Sequence, residues 1–127
     1  MKEWIYEANA LESTICPAEV AMRLINNKWK IIILRDLLEK SASFGDLHRS
    51  VSGISRKILT ENLREMERDY MIIREVIPGN IIRVRYKLSP LGESMKSIIR
   101  SLQDLGMEYI KDHPKEAVRL VKNVVKK

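Results

Sequence analysis

SFGDLHRSVSGISRKILTENLREMERD, residues 43–69, is the stretch that decides the fold. It predicts a short helix, a turn at Gly53 and a longer helix. Ser43 and Ser55 each precede one of the helices. A serine hydroxyl in that position accepts a hydrogen bond from a free N–H of the first turn, so both residues can act as caps. Two capped helices joined by a glycine turn are typical of a helix-turn-helix.

The longer helix has two different faces. Its apolar residues recur at helical spacing and predict a buried stripe: Leu59, Leu63, Met66 and Tyr70. Its polar face holds basic, hydroxyl and acidic side chains: Arg56, Lys57, Thr60, Glu61, Arg64 and Arg68. Basic and hydroxyl groups near a helix start suit the major groove of DNA, where they reach base edges and phosphates. The predicted DNA contacts of the helix-turn-helix are Ser43, Ser55, Arg56, Lys57, Thr60 and Arg64. The alternative is a solvated helix face.

After this helix the apolar period changes from helical to alternating. In RVRYKL, residues 83–88, every second residue is apolar, which predicts a strand with one buried face. A matching strand covers 72–77, and Pro78, Gly79 and Asn80 provide the turn. A hairpin in this place predicts a winged helix, a mainly α fold, with Asn80, Arg83 and Arg85 as DNA contacts. The alternative is that these charges protect a strand edge.

Helices are also predicted before the helix-turn-helix. One begins at Cys16 and Pro17, with an inner stripe of Val20, Ala21, Leu24 and Ile25. The next, residues 28–40, is apolar almost all round in its first half, as the central helix of a small domain would be. Residues 1–15 form an arm or a short helix.

The longest predicted helix runs from Ser89 and Pro90 to Asp112. Its apolar residues form a seam with heptad-like spacing. A domain of this size does not need so long a stripe, which indicates pairing with a second copy. The predicted dimer contacts are Met95, Ile98, Leu102, Leu105 and Tyr109. Residues 113–127 predict a further, basic amphipathic helix, whose charged side is solvated or touches DNA. The predicted organisation is therefore an arm (1–15), a winged-helix domain with its dimerisation helix (16–112) and the basic helix (113–127).

Composition fits this organisation and excludes other classes. The chain has 127 residues, 45% of them hydrophobic and 31% charged, with a net charge of +6 that favours anionic partners. Residues 55–87 include eight basic and five acidic residues. There is no apolar run of membrane-span length and no signal-peptide segment, so a cytoplasmic protein without membrane contact is expected. No nucleophile and base pair and no phosphate loop is recognisable, so neither an enzyme nor a cofactor is expected. His48 has no partner at metal-ligand spacing.

The chain resembles the HxlR family of winged-helix transcriptional regulators, which is related to the MarR regulators. The matching stretches are CPAEVAMRLINNKWKIIIL, FGDLHRSVSGISRKILTENLREMERD, REVIP and RVRYKLSPLGESM. The resemblance implies a homodimer on a pseudo-palindromic operator, with residues 55–69 as recognition helix and the wing between Ile72 and Leu88. The chain departs from the family pattern at the wing tip, PGNIIRVRY, and after Pro114.

The resemblance also draws attention to Cys16, the single cysteine. In some members of the family a cysteine before the first helix senses oxidants or electrophiles, and the dipeptide at Cys16 and Pro17 aligns with it. A helix N-terminus stabilises a thiolate, although a lone cysteine also often fills space in a core. The expected function is a homodimeric DNA-binding regulator, acting as a repressor, whose effector is a small molecule or an electrophile. The alternative is a protein-interaction module that does not bind DNA.

Overall fold

The computed structural model of the chain describes residues 6–8 and 13–125. The chain divides into two compact units, residues 1–93 and residues 94–127. In the first unit, strands β1 (Tyr6–Ala8) and β2 (Ser13–Ile15) pair antiparallel, with Tyr6 opposite Ile15.

The described part of the arm is therefore a strand pair, and the short helix predicted as one option for residues 1–15 is wrong. Tyr6, Thr14 and Ile15 are aromatic and β-branched residues, which favour strands over helices. The aromatic and apolar residues at 4, 5 and 11 lie outside the described residues.

Helix α1 (Pro17–Leu24) begins at the predicted residue, with Cys16 as its N-cap. Its predicted inner stripe is wrong for most of its length, because no residue of α1 is buried. Val20 is exposed, and only Ile25, just past the helix, lies in the core. A helix of eight residues thus contacts the core only through its C-terminal end.

Helix α2 (Lys28–Glu39) is the central helix that the sequence predicts. Its buried apolar residues are Ile33, Leu34 and Leu37. The helix begins where the side chain of Asn27 accepts a hydrogen bond from the Lys30 N–H at 3.0 Å. Asn27 therefore starts this helix as well as separating it from the preceding one.

The helix-turn-helix is confirmed, with both caps as predicted. After the short strand β3 (Ala42–Ser43), helix α3 (Phe44–Ser50) opens with a capping box between Ser43 and Asp46. The turn passes through Gly53, which has φ +84. Few side chains adopt that backbone region, so the glycine is needed there.

Helix α4 (Arg56–Arg68) buries Leu59, Leu63 and Met66, as predicted, but not Tyr70. The predicted stripe is wrong at its last position because the helix ends at Arg68. Tyr70 has φ +64 and is exposed. The Tyr70 N–H bonds to the Glu67 carbonyl and the Met71 N–H to the Met66 carbonyl. This is a Schellman ending with tyrosine where glycine is usual, and it turns the chain into the sheet.

The wing is confirmed. Strands β4 (Ile72–Ile77) and β5 (Arg83–Leu88) pair antiparallel, with Ile72 opposite Leu88 and Ile77 opposite Arg83. Strand β3 pairs with the other edge of β5, so the sheet order is β3-β5-β4. Ile72 and Leu88 are buried at the base of the hairpin, whereas residues 78–82 at its tip are all exposed.

The helix predicted from Pro90 to Asp112 is interrupted. A short helix α5 (Pro90–Glu93) ends the first unit, and regular helix resumes in the second unit as α6 (Met95–Asp112). The first turn is anchored to the sheet: the Ser89 hydroxyl donates to the Tyr70 carbonyl at 2.6 Å. A side chain at Gly92 would collide with the Met71 carbonyl. Because this turn is fixed on the sheet, it forms a separate element.

The second unit also contains helix α7 (Pro114–Val125), which His113 separates from α6. A break at His113 and Pro114 is what the sequence predicts. Within residues 6–8 and 13–125, no helix has the length and apolar character needed to cross a bilayer.

Candidate nucleic-acid interface

The exposed face of α4 presents the side chains that the sequence assigns to DNA. Arg56, Lys57 and Arg64 are exposed, and Thr60 is half-buried. The helix is held on its other side by the core residues Leu59 and Leu63. The polar face is therefore displayed by a helix whose orientation is fixed by packing.

The basic residues of α4 and the wing differ in whether the protein already uses them. Three of them are occupied. The Arg68 guanidinium lies 3.6 Å from Asp69, the Lys87 ammonium lies 2.9 Å from Glu75, and Arg85 donates to the Ser41 carbonyl at 2.9 Å. Five others make no hydrogen bond or ion pair within the described residues: Arg56, Lys57, Arg64, Arg74 and Arg83. Unpaired cations are the ones that can bind an anion without breaking an existing contact.

Arg83 and Arg85, which the sequence treats alike, differ in the structure. Arg85 is half-buried, and its guanidinium bonds to both the carbonyl and the hydroxyl of Ser41. It ties β5 to the chain segment before β3. Arg83 is exposed at the tip end of β5, opposite Ile77. Of these two arginines, only Arg83 projects without an intramolecular partner among the residues described.

Arg74 is a cation that sequence reasoning did not assign to the site. It lies on β4 directly opposite Tyr86 of β5. Both line a cleft of about 360 Å³ between the wing and α4, together with Phe44, Thr60, Leu63, Arg64 and Glu67. The cleft brings Arg64 of the helix and Arg74 of the wing to one place. The strand register would have to be known from the sequence to find this pairing.

Ser43 and Ser55, predicted as DNA contacts, both cap helices. The Ser43 oxygen accepts from the Asp46 N–H at 3.0 Å and the Ser55 oxygen from the Ile58 N–H at 3.1 Å. The Ser55 hydroxyl keeps its own proton to donate to a phosphate. Hydrogen bonds from the Ser43 backbone and hydroxyl, and the nearby Arg49, lower the pKa of Asp46. Asn80 is exposed at the wing tip.

Arg56 of α4 makes a cation–π contact with Phe44, the first residue of α3. The Arg56 guanidinium lies 5.7 Å from the centre of the Phe44 ring, and that ring also stacks with His48. Phe44 thus steers Arg56 without neutralising it. Among the described residues no group of His, Cys, Asp and Glu could hold a metal ion.

The buried side of α4 is fixed to α2 by a polar network that the sequence did not reveal. Lys30 is only 2% exposed, and its ammonium donates to Glu65 at 2.6 Å and to Asn26 at 3.2 Å. The Asn27 amide donates to Asn62 of α4 at 3.0 Å. These bonds hold α4 at one rotation about its axis, because they have a direction that apolar contacts lack. A lysine is rarely buried, so no sequence signal pointed to it.

The charge state of this network is set by the same contact. The hydrogen bond from Lys30, and then its positive charge, lower the pKa of Glu65 below its ordinary value of 4.5. Glu65 is therefore ionised at neutral pH and supplies the anion that the buried ammonium requires.

Cys16, the candidate sensor, is half-buried at the N-cap of α1. Its side chain makes no capping hydrogen bond, while its carbonyl accepts from the Val20 N–H at 3.1 Å. The thiol is accordingly not required for holding the start of the helix.

The predicted dimer seam is exposed along α6 except at its first residue. Ile98, Leu102, Leu105 and Tyr109 are exposed, whereas Met95 is buried. The Tyr109 ring lies 5.1 Å from that of His113. The exposed seam is the part available to a second copy.

Comparison with known proteins agrees with this geometry. A model of the HxlR-like helix-turn-helix family matches residues 24–114. An uncharacterized HTH-type transcriptional regulator of Bacillus subtilis, YdeP, is 34% identical over 94 residues, which cover 74% of this chain and 73% of the relative. One from Methanothermobacter thermautotrophicus is 36% identical over 95 residues, which cover 75% of this chain and 72% of that protein.

Solved structures are also similar to this chain over much of its length. The redox regulator HypR in its reduced form superposes with a TM-score of 0.69 at 28% identity, covering 73% of this chain and 92% of HypR. Its oxidised form gives 0.68 at 29% identity, covering 73% of this chain and 96% of HypR.

Proposed function

This chain belongs to the HxlR-like helix-turn-helix family of transcriptional regulators, and from that premise we propose that it binds an operator as a homodimer and represses transcription. In this proposal α4 enters the major groove and the β4–β5 wing lies along the neighbouring backbone. Arg56, Lys57 and Arg64 contact bases and phosphates from the helix. Asn80 and Arg83 contact the backbone or minor groove from the wing.

The observation that carries the proposal is the set of five cations on α4 and the wing that form no hydrogen bond or ion pair with the residues the structure describes. Cations without an ion-pair partner can bind phosphates directly, whereas Lys87 would first have to leave Glu75. The cleft between Arg64 and Arg74 adds a place where one phosphate can meet two guanidinium groups. Ser43, Ser55 and Thr60 supply hydroxyl donors nearby.

The homodimer is supported by the exposed apolar seam of α6, Ile98, Leu102, Leu105 and Tyr109. Two recognition helices on one face of DNA must be about 34 to 36 Å apart, one turn of the duplex. An effector that changes this spacing by a few ångströms would release the operator. A small ligand in the dimer interface or a modified thiol can act in this way.

Cys16 is the thiol that we propose for such a switch. The described part of the protein resembles the redox regulator HypR, and Cys16 lies at a helix start without a structural hydrogen bond from its side chain. Since it is the single cysteine of the chain, a disulfide could only join two protomers. An adduct with an electrophile is the other available modification.

The test is binding of the purified protein to its own upstream DNA at two salt concentrations, compared with random DNA. Arg64→Ala should weaken operator binding by about 1 to 3 kcal/mol if the side chain reads a base. Arg68→Ala is the matched control, because Arg68 is already paired with Asp69 and should cost less. Equal affinity of wild type and Arg64→Ala for the operator would remove the recognition assignment and favour the protein-interaction module.

The switch is tested in the same assay with N-ethylmaleimide, which alkylates thiols. Loss of operator binding on treatment, with binding retained by treated Cys16→Ser, is the expected result. Binding that is indifferent to the reagent would reject Cys16 as the sensor and leave a non-covalent ligand at the dimer interface.

A further inference from the structure

Helix α7 lies almost entirely outside the region that defines the family. The family model ends at residue 114, and α7 begins at Pro114. Family membership therefore assigns it no role. Its sequence and exposure have to be explained by its own chemistry.

Helix α7 has an apolar side and a basic side, and both are largely exposed among the described residues. Val118 and Val121 are 53% and 65% exposed, so its apolar side is mostly in contact with water. Lys115, Arg119 and Lys122 follow one another at helical spacing of four and three residues. Of these three, only Arg119 has an anionic neighbour in the part of the chain that the structure describes, Glu116 at 4.0 Å on the same helix.

Helix α6 carries the complementary pattern. Asp104, Glu108 and Asp112 are each four residues apart and form one row of carboxylates beside the exposed Leu105 and Tyr109. None of the three makes a hydrogen bond or ion pair with any residue that the structure describes. At a rise of about 1.5 Å per residue this row is about 12 Å long, and the basic row of α7 is about 10 Å long.

Among the described residues no ion pair joins these two rows, although α6 and α7 are consecutive helices of one compact unit. We propose that α7 of one protomer packs along α6 of a second copy, with its cations against that row of carboxylates. The apolar side of α7 then covers part of the exposed α6 seam. This inference rests on the proposed homodimer and adds to it a reciprocal exchange, in which α7 of each protomer packs on α6 of the other. Each such α7–α6 contact is called a clasp below.

A phospholipid surface is the other occupant that a basic amphipathic helix could take. The carboxylate row of α6 argues for the second copy, because carboxylates adjoining α7 would repel anionic headgroups and attract the α7 cations.

The test uses charge reversal in two full-length variants. The first carries Asp104→Lys and Glu108→Lys in α6, and the second carries Lys115→Glu and Lys122→Glu in α7. In a homodimer of either variant like charges face each other across the clasp. We expect each to dimerise about tenfold more weakly than wild type in analytical ultracentrifugation.

An equal mixture of the two variants separates exchange between chains from packing within one chain. In a heterodimer both clasps join opposite charges, so mixing should restore wild-type dimerisation, and native mass spectrometry should show mostly heterodimers. If the two helices pair within one chain, mixing restores nothing. That result would overturn the proposal, as would variants that dimerise like wild type.

Two controls keep the outcomes distinct. Val121→Asp places a charge on the apolar side of α7 and should also weaken dimerisation, which tests the apolar contact between α7 and the α6 seam separately from the charges. Wild type that binds vesicles of anionic phospholipid and loses this binding with Lys115→Glu and Lys122→Glu would overturn the proposal in favour of a membrane. Failure of the proposed function is separate, since wild type would then not bind operator DNA at all.

Discussion

Helices α4 and α7 are both basic and amphipathic, but the chain covers the apolar side of only one of them. In α4, Leu59, Leu63 and Met66 are buried, and of its four basic residues only Arg68 has an ion-pair partner among the residues described. In α7, Val118 and Val121 are exposed. A helix whose apolar side is covered can devote its charged face to a ligand. A helix whose apolar side is exposed needs a partner that covers this side, and the role of its charged side depends on that partner.

The largest expected effect comes from truncating one buried leucine of α4 to alanine. Leu59→Ala should lower the free energy of unfolding by about 2 to 5 kcal/mol, because the site is fully buried and leaves a cavity. Val121→Ala in α7 is the matched change and, at a protein concentration low enough for the chain to be monomeric, should alter it by less than about 0.5 kcal/mol. Urea denaturation at one protein concentration measures both. Similar losses would mean that α7 is as well covered as α4.

The next effect concerns the polar network that fixes the rotation of α4. Glu65→Gln removes the anion that faces the buried Lys30 ammonium. The Glu65 side chain is 43% exposed, so water screens the pair, and we expect a loss of about 1 to 2 kcal/mol. Glu61→Gln, on the outer face, is the control. Adding Lys30→Met to Glu65→Gln should recover much of the lost stability, because no unpaired ammonium then remains buried.

The pair of Lys30 and Glu65 should also make stability depend on pH, and Glu65→Gln tests this. Lys30 lowers the pKa of Glu65 from 4.5, so the stabilisation is complete above about that pH and is lost as the pH falls through the lower folded value. Wild type should therefore lose more stability than Glu65→Gln between about pH 7 and about pH 4. Equal losses would show that Lys30 and Glu65 are not coupled. Asp46, whose pKa is also lowered, contributes equally to both proteins and cancels.

Sequence patterns predicted those parts of the fold that depend on local chemistry. Ser43 and Ser55 cap helices and Gly53 makes the turn, because caps and positive φ are properties of single residues. Period and turn residues likewise predicted the wing. Tyr70 was misplaced because a helical stripe does not show where tertiary structure ends the helix.

Contacts between distant residues could not be predicted from the sequence. Lys30 meets Glu65 across 35 positions, and Arg85 meets Ser41 across 44. Neither partner has a local signature, since lysine, glutamate and arginine in these patterns normally face water. The same limitation made Arg83 and Arg85 look equivalent and left Arg74 unassigned, because only the strand register brings it beside Tyr86 and Arg64.

The smallest expected effect, and the one that compares free with occupied charge most directly, is found within the wing. Arg83→Ala should leave the free energy of unfolding unchanged and make the salt dependence of operator binding shallower. A homodimer would lose two phosphate contacts, so the slope of log K against log salt should fall in magnitude by about 2. Arg85→Ala should do the reverse. It should lower the free energy of unfolding by about 0.5 to 1.5 kcal/mol, since the hydrogen bonds to Ser41 are lost, and leave the salt slope unchanged. Fluorescence anisotropy across salt concentrations and urea denaturation give the two readouts. If Arg85→Ala changed the salt slope as much as Arg83→Ala, Arg85 would have to leave Ser41 and contact DNA on binding. The presence of an intramolecular partner would then not distinguish the arginines that contact DNA from those that do not.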